Sequence, residues 1–346
     1  MPISTGLWLR REASSNEQRT VITPADAAAL VADGFRVTVE ESAHRVFPID
    51  EYAAAGCRIV SADTWPDAPA DEIVVGLKEP VPQPSALTHR HIFFGHAYKG
   101  QTGAHALLQR FEEGGGSLYD LECLTDENGR RLVAFGFWAG YAGAAVAVLH
   151  HRGQLSAPLT AMSRAELDDL LARYRDDACA LVIGALGRSG RGAVEALTVA
   201  GVRTTGWDLA ETRQFDKSAL LAHDLLVNTI FAAEPGRPFL THDDLGRDDR
   251  RLSVVSDVTC DVTSDCNRLP VNDKVTDWVM PARRLHDEPR LDVLAIDNLP
   301  SLLPRESSAA FSMGLLPLLR QLPDDGSVWT RSLDQFTAAR KLTSER

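Results

Sequence analysis

Three short apolar runs in the first third of the chain end in side chains that can move protons. IVVGLK ends at Lys78, HIFFGH ends at His96, and SLYDLE ends at Glu122. In open α/β sheets, ligands bind in the crevice outside the carboxyl ends of the strands. If the three runs are neighbouring parallel strands, these side chains converge on one cleft. A lysine and a histidine there can run acid–base chemistry at neutral pH, provided burial and a nearby positive group lower the lysine pKa. Glu122 would tune both by opposing charge. Strand ends also carry ordinary solvent-facing residues, and the pattern alone leaves both readings open. Arg19 precedes a helix start at Thr23–Pro24 and is either a holder of a carboxylate or a plain surface arginine. His89, His91 and His105 lie near His96, but their spacings match neither one helical face nor a metal-ligand pattern, so no metal site is expected.

A second constellation is ALVIGALGRSGRGAVEAL at 180–197. An apolar strand runs into Gly184, Gly187 and Gly190, and a helix follows. Glycines there let the backbone turn tightly and approach a pyrophosphate, while the helix N-terminus offers free N–H groups and a positive dipole end. The spacing is Gly-x-x-Gly-x-x-Gly rather than Gly-x-Gly-x-x-Gly, so the turn alone also suits a strand–helix junction without a ligand. Asp208, at the end of the next strand, strengthens the dinucleotide reading. A carboxylate there accepts ribose hydroxyls and repels a 2′-phosphate, which favours NAD over NADP. Arg188, within the turn, is placed to meet a phosphate and tempers that preference slightly.

The elements that must position these groups alternate along the chain. Strands are expected at 3–9, 35–40, 73–77, 92–95 and 117–121, with helices at 24–33 (Thr23 as N-cap, Pro24 at the first position, Gly34 as stop) and 101–113. FGFWAGYAGAAVAVLHH at 135–151 reads as a helix with closely spaced small residues, either an interdomain or dimer-packing helix or a plain buried one. Residues 152–162 contain Gly153 and Pro158 and read as a linker. Helix 163–175 opens with a capping box, Ser163 and Glu166. Strands at 180–185, 204–209, 225–228, 253–258 and 293–296, with a helix at 188–200, form a second alternating block. Residues 332–346 read as an amphipathic helix returning to the first domain. Alternation of this kind points to α/β architecture with parallel sheets.

The 346 residues suffice for about two domains. Hydrophobic residues make up 44% and charged residues 24%, which excludes a disordered chain, a fibre and a coiled-coil rod. The net charge of −12 supplies no basic footprint for nucleic acid. The five cysteines are scattered with no CxxC pair, as expected of reduced cytosolic thiols. The longest apolar stretch, Val133 to Leu149, is short and rich in small residues, so no membrane span is expected. The opening residues show no basic segment followed by an apolar run, so no secretory signal is expected and cytoplasmic location is the default.

These motifs together resemble the NAD-dependent, lysine-forming saccharopine dehydrogenases, relatives of alanine dehydrogenase. The resemblance is carried by RTVITP at 19–24, GLKEP at 76–80, HIFFGHAYKGQ at 91–101, LYDLE at 118–122, GRRLVAFGFWAGYAGAA at 129–145, IGALGRSG at 183–190, DLAET at 208–212 and IDNLPSLLPRESS at 296–308. The last is highly specific, and so is the order of all eight. The resemblance implies two Rossmann-like domains, 1–135 plus 322–346 for substrate and 136–321 for NAD, with the active site in the cleft between them. It implies oxidative deamination of saccharopine: hydride passes from the glutarate-side carbon to NAD, and hydrolysis of the imine gives lysine and 2-oxoglutarate. By resemblance, Lys78 is the base, His96 its acid–base partner and Glu122 the modulator of their charge. It places Arg19, Thr23, Lys78, Gln101 and Phe135 around the amino acid. It places Arg130, Gly184, Gly187, Arg188, Gly190, Asp208, Thr212, Phe231, Val258, Ile296, Asp297, Asn298 and Leu299 around NAD. Some members carry a cysteine pair near the cofactor; the matching positions here are Ser189 and Thr229, so no bridge is expected. The expected partners are the small-molecule substrates, with no nucleic acid or membrane, for a monomer or homodimer. A sibling alanine or opine dehydrogenase would keep the same catalytic groups. A non-catalytic NAD-binding scaffold would have no use for Lys78, His96 and Arg19.

Overall fold

Runs of three to five residues, mostly rich in Val, Ile and Leu, assemble into two six-stranded sheets in this computed structural model, which describes residues 5–14, 16–98, 103–232 and 234–344. The chain divides into two compact units, Met1–Ala134 with Ser307–Arg346, and Phe135–Glu306.

In the first unit the strands are β1 (Gly6–Leu9), β2 (Arg36–Glu40), β3 (Arg58–Val60), β4 (Ile73–Val75), β5 (Arg90–Phe93) and β6 (Ser117–Asp120), in the spatial order β3-β2-β1-β4-β5-β6. All five pairings are parallel. The sequence order therefore reverses between β1 and β4, which makes the carboxyl edge there a topological switch point. Helix Pro24–Ala32 starts as its sequence dictates, with the Thr23 side chain accepting the Asp26 N–H and proline at the first turn. The C-terminal helix Ser327–Ser344 begins five residues earlier than its amphipathic pattern indicates and packs on this sheet. Phe336 meets Phe111 edge-on at 5.3 Å, and Trp329 meets Tyr119 at 5.6 Å.

In the second unit the strands are β7 (Cys179–Ile183), β8 (Arg203–Trp207), β9 (Leu225–Asn228), β10 (Val254–Asp257), β11 (Arg283–His286) and β12 (Leu291–Leu294), in the order β11-β12-β10-β9-β7-β8. Only β11 is antiparallel. Each unit is Rossmann-like, with a sheet wholly parallel in the first and parallel but for β11 in the second, as expected from the alternation.

One expectation is corrected. Residues 152–162 are not a linker between units: the Leu159 N–H bonds the Trp278 carbonyl and the Met162 N–H bonds the Leu302 carbonyl, all within the second unit. The chain leaves the first unit at Ala134 instead. The small residues of helix Gly136–His151 also have a local use. Gly140 faces the Ser189 carbonyl, and Gly192 faces the Phe137 carbonyl, each too close for a Cβ. This helix therefore lies backbone-to-backbone on helix Arg188–Val199 within its own unit, and eleven of its sixteen residues are buried. Several elements gave no clear signal, β3, β11 and helix Pro304–Leu319 among them. Strand β3 is a short edge, β11 is polar, and helix Pro304–Leu319 opens with a proline and contains Pro317.

One buried histidine carries a stability consequence. His91, on β5, is fully buried among Trp65, Phe93 and Phe111, and neither ring nitrogen has a hydrogen-bond partner. Burial, with Arg10, His89 and Arg110 adding like charge, holds its pKa well below the ordinary 6.5. The unfolded chain binds a proton below about pH 6.5 that the native state refuses, so stability falls as pH falls through that range and is intact above it. Replacing His91 by Phe is expected to flatten the fall of Tm between pH 7 and 5, measured by thermal melts; an unchanged slope would contradict the assignment. Among the described residues, no helix is long and apolar enough to cross a membrane.

Candidate active site

Strands β1, β4, β5 and β6 are consecutive neighbours, so their carboxyl ends lie on one edge of the first unit. Lys78 follows β4 and is half-buried, His96 follows β5, and Glu122 follows β6 in a short 3-10 turn, Leu121–Cys123. The structure brings His96 and Glu122 together: His96 Nδ1 lies 3.2 Å from Glu122 Oε2. An ionised carboxylate only accepts, so Nδ1 carries the proton of that bond and Nε2 is left as the working nitrogen. Glu122 Oε1 lies 3.1 Å from Arg131 Nη2, a pairing the sequence does not announce. His96 adopts φ +49°, the left-handed region, which an L residue enters at a cost and which clusters at functional sites.

The backbone beneath this pair is tied by Asp120. This carboxylate, 1% exposed, accepts the Glu122 N–H at 2.9 Å and the Gly95 N–H. Burial raises its pKa, and those bonds oppose the rise. A cleft of about 290 Å³ opens beside Glu122, lined by Tyr98, Arg131, Thr125 and Gln335.

Arg19 is 3% exposed and grips Glu17, with Nε donating to Oε1 at 2.8 Å and Nη2 to Oε2 at 2.7 Å. It is not a surface arginine. The Thr23 hydroxyl caps its helix and donates to Asp26, while its N–H bonds Ser312 Oγ at 3.0 Å. Gln101 lies outside the described residues. Phe135 stands at the N-cap of helix Gly136–His151, in the second unit. Arg130 sits on an exposed turn of the first unit, its N–H bonded to Asp126.

In the second unit, the remaining cofactor candidates lie along the carboxyl edge of the sheet. Gly184, at φ +85°, ends β7, and Gly187 is the N-cap of helix Arg188–Val199. A Cβ at Gly190 would collide with the Gly184 carbonyl, so this turn can close only around glycine. Arg188 is exposed at the first helical position. Asp208 follows β8; one carboxylate oxygen accepts the Leu186 N–H at 2.8 Å, which fixes the carboxylate across the glycine turn. Thr212 closes the short helix after it through its hydroxyl. Phe231 is 73% exposed beyond β9, Val258 follows β10, and Ile296 to Leu299 follow β12, with Asn298 at φ +60°. A tight glycine turn, open helix N–H groups and a fixed carboxylate form a cradle that fits a dinucleotide. Among the described residues no three His, Cys, Asp or Glu side chains group to hold a metal. None of the five cysteines is in a disulfide; burial pushes the Cys57 thiol up to about 11 and Cys260 to about 12.

Comparison with known proteins agrees with the geometry. Residues 8–142 match the alanine dehydrogenase/PNT N-terminal domain family. The chain is 40% identical to saccharopine dehydrogenase [NAD(+), L-lysine-forming] of Yarrowia lipolytica, over 95% of this chain and 96% of that one. It is 39% identical to the Candida glabrata protein of the same name, over 96% of each. Among solved structures it superposes on an L-alanine dehydrogenase with TM-score 0.70 over 96% of this chain and 94% of that one, at 17% identity. The transhydrogenase from Sinorhizobium meliloti gives 0.64 over 92% and 94%, also at 17% identity. At that identity the two structures share the fold.

Proposed function

The chain belongs to the NAD-dependent, L-lysine-forming saccharopine dehydrogenase family, and on that premise we propose that it interconverts saccharopine and water with lysine and 2-oxoglutarate, reducing NAD⁺ to NADH and releasing one proton. The observation that carries this reading is likeness over nearly the full length of both chains, with Lys78, His96 and Glu122 at three adjacent strand ends.

The glycine turn and Asp208 would hold the pyrophosphate and ribose of NAD, which when bound would supply the hydride acceptor for the glutarate-side carbon. Lys78 Nζ takes the proton of the secondary amine as that hydride leaves. Once the imine has formed, His96 Nε2 takes a proton from the attacking water. His96 passes that proton to solvent, and as the carbinolamine collapses Lys78 returns its proton to the departing ε-amino nitrogen while His96 Nε2 takes the hydroxyl proton, so that the new carbonyl belongs to 2-oxoglutarate. Glu122 holds His96 through Nδ1 and so orients Nε2 for the hydrolysis step. Arg19, oriented by Glu17, and Arg131, beside Glu122, supply guanidinium groups for the carboxylates of the substrate.

The test is NADH consumption with a panel of amino acids and keto acids. Turnover with lysine and 2-oxoglutarate is expected; turnover with other pairs alone would overturn the substrate assignment. Asp208 gives a second check. Replacing it by Ser removes a like charge worth several kcal/mol against a 2′-phosphate, so the NADPH/NADH preference should rise by roughly 100-fold in kcat/KM. An unchanged ratio would place the ribose elsewhere.

A further inference from the structure

The segment that ends β1 does something the mechanism above has not used. Both peptide groups flanking Lys78 are held by two side chains from Arg10 to Glu12. Glu12 Oε1 accepts the Leu77 N–H at 2.7 Å, and Oε2 accepts the Lys78 N–H at 3.0 Å. Arg10 Nη2 donates to the Lys78 carbonyl, and its Nη1 lies 3.6 Å from Glu12 Oε2. Arg10 is 2% exposed and Glu12 9%. A carboxylate this buried is costly to keep charged without partners, and here it has two N–H donors and one guanidinium. Arg45, whose Nη2 donates to the Arg10 carbonyl, adds a second positive charge nearby. The loop so held is also bonded to the next one, through the Phe94 N–H and the Leu77 carbonyl at 3.0 Å. The path from Glu12 to the loop that carries His96 is therefore two hydrogen bonds long.

Hydrogen bonds of the β1–β4 ladder would continue the sheet without any of this; a turn after β4 needs no side chain from β1. What the pair adds is a fixed position for the two peptides on either side of the lysine. We propose that Glu12, neutralised by Arg10, is a positioning residue for Lys78, setting the direction in which the ammonium side chain leaves the strand end. The inference rests on the reading of Lys78 as the proton-transfer group.

The experiment is a double-substitution cycle in the full-length enzyme, using lysine, 2-oxoglutarate and NADH. Glutamine at position 12 keeps one acceptor and turns an NH₂ toward an N–H, so Glu12→Gln should displace the loop. Misplacement of about 1 Å costs roughly 100-fold in rate, so kcat should fall by about that factor while KM for both substrates and Kd for NADH change less than about threefold. In a Lys78→Met background the same substitution should cost less than about twofold, because the group it positions is gone. An equal loss in both backgrounds, or an undiminished kcat in Glu12→Gln, would overturn the proposal and leave Glu12 a structural residue. Should Lys78→Met itself keep full turnover, the reading of the site fails first and takes this inference with it. If Glu12→Gln does not fold, Glu12→Asp carries the same cycle: it keeps the charge opposite Arg10 but retreats by one methylene, and the same non-additivity is expected.

Discussion

Replacing Lys78 with Met should lower kcat by roughly 10²–10⁴-fold, the usual worth of a positioned general acid–base group. Methionine keeps the length and most of the volume of lysine but removes the proton-carrying nitrogen. Because Lys78 is half-buried at a strand end and its backbone is held by Glu12 and Arg10, the loop should survive the change. Thermal stability and NADH affinity are therefore expected to stay near wild type, since the glycine turn belongs to the other unit. Steady-state kinetics, with NADH titrated separately, reads both. A variant with kcat within about threefold of wild type would remove Lys78 from the chemistry.

Replacing Gly140 with Val should damage the fold of the second unit severely. The position faces the Ser189 carbonyl, a backbone atom in the first turn of the cofactor helix, at a distance no Cβ tolerates. Neither helix can yield by rotating a side chain. Overpacking costs up to about 3 kcal/mol and occasionally more, and rigid backbone on both sides puts this site at the upper end. For a unit of this size that is a fall in Tm of roughly 6–12 °C, readable by differential scanning calorimetry. The same displacement moves Ser189 and Gly190, so whatever protein folds should bind NADH more weakly. A variant with wild-type Tm and NADH affinity would contradict the close packing of these two helices.

The comparison of sequence and structure has a physical pattern. The placement of Lys78, His96 and Glu122 at three neighbouring strand ends was legible because each ends an apolar run, and parallel neighbours must align their carboxyl ends. The glycine turn and Asp208 were legible because strand, turn and helix are contiguous. What escaped has partners far along the chain or on the backbone. Glu12 bonds N–H groups 65 and 66 residues away, and a carboxylate aimed at a backbone leaves no pattern of side-chain types. Arg131 meets Glu122 through a turn closed by the Thr125–Arg131 bridge, so the GRR stretch singled out Arg130 without showing which arginine turns toward the site. Residues 152–162 looked like a linker because Gly153 and Pro158 interrupt the periodicity, yet their backbone is spent on Trp278 and Leu302. The small residues of helix Gly136–His151 named a close approach without naming its partner.

The central claim is that proton transfer at the substrate nitrogen is done by the group at the end of β4, with the imidazole at the end of β5 beside it. A crystal structure of the ternary complex with NADH and saccharopine tests it most directly. The account predicts Lys78 Nζ within about 2.6–3.2 Å of the secondary amine nitrogen, directly or through one water, and His96 Nε2 facing the carbon that becomes the carbonyl. Saccharopine bound elsewhere, with Lys78 and His96 turned into solvent away from it, would contradict the account.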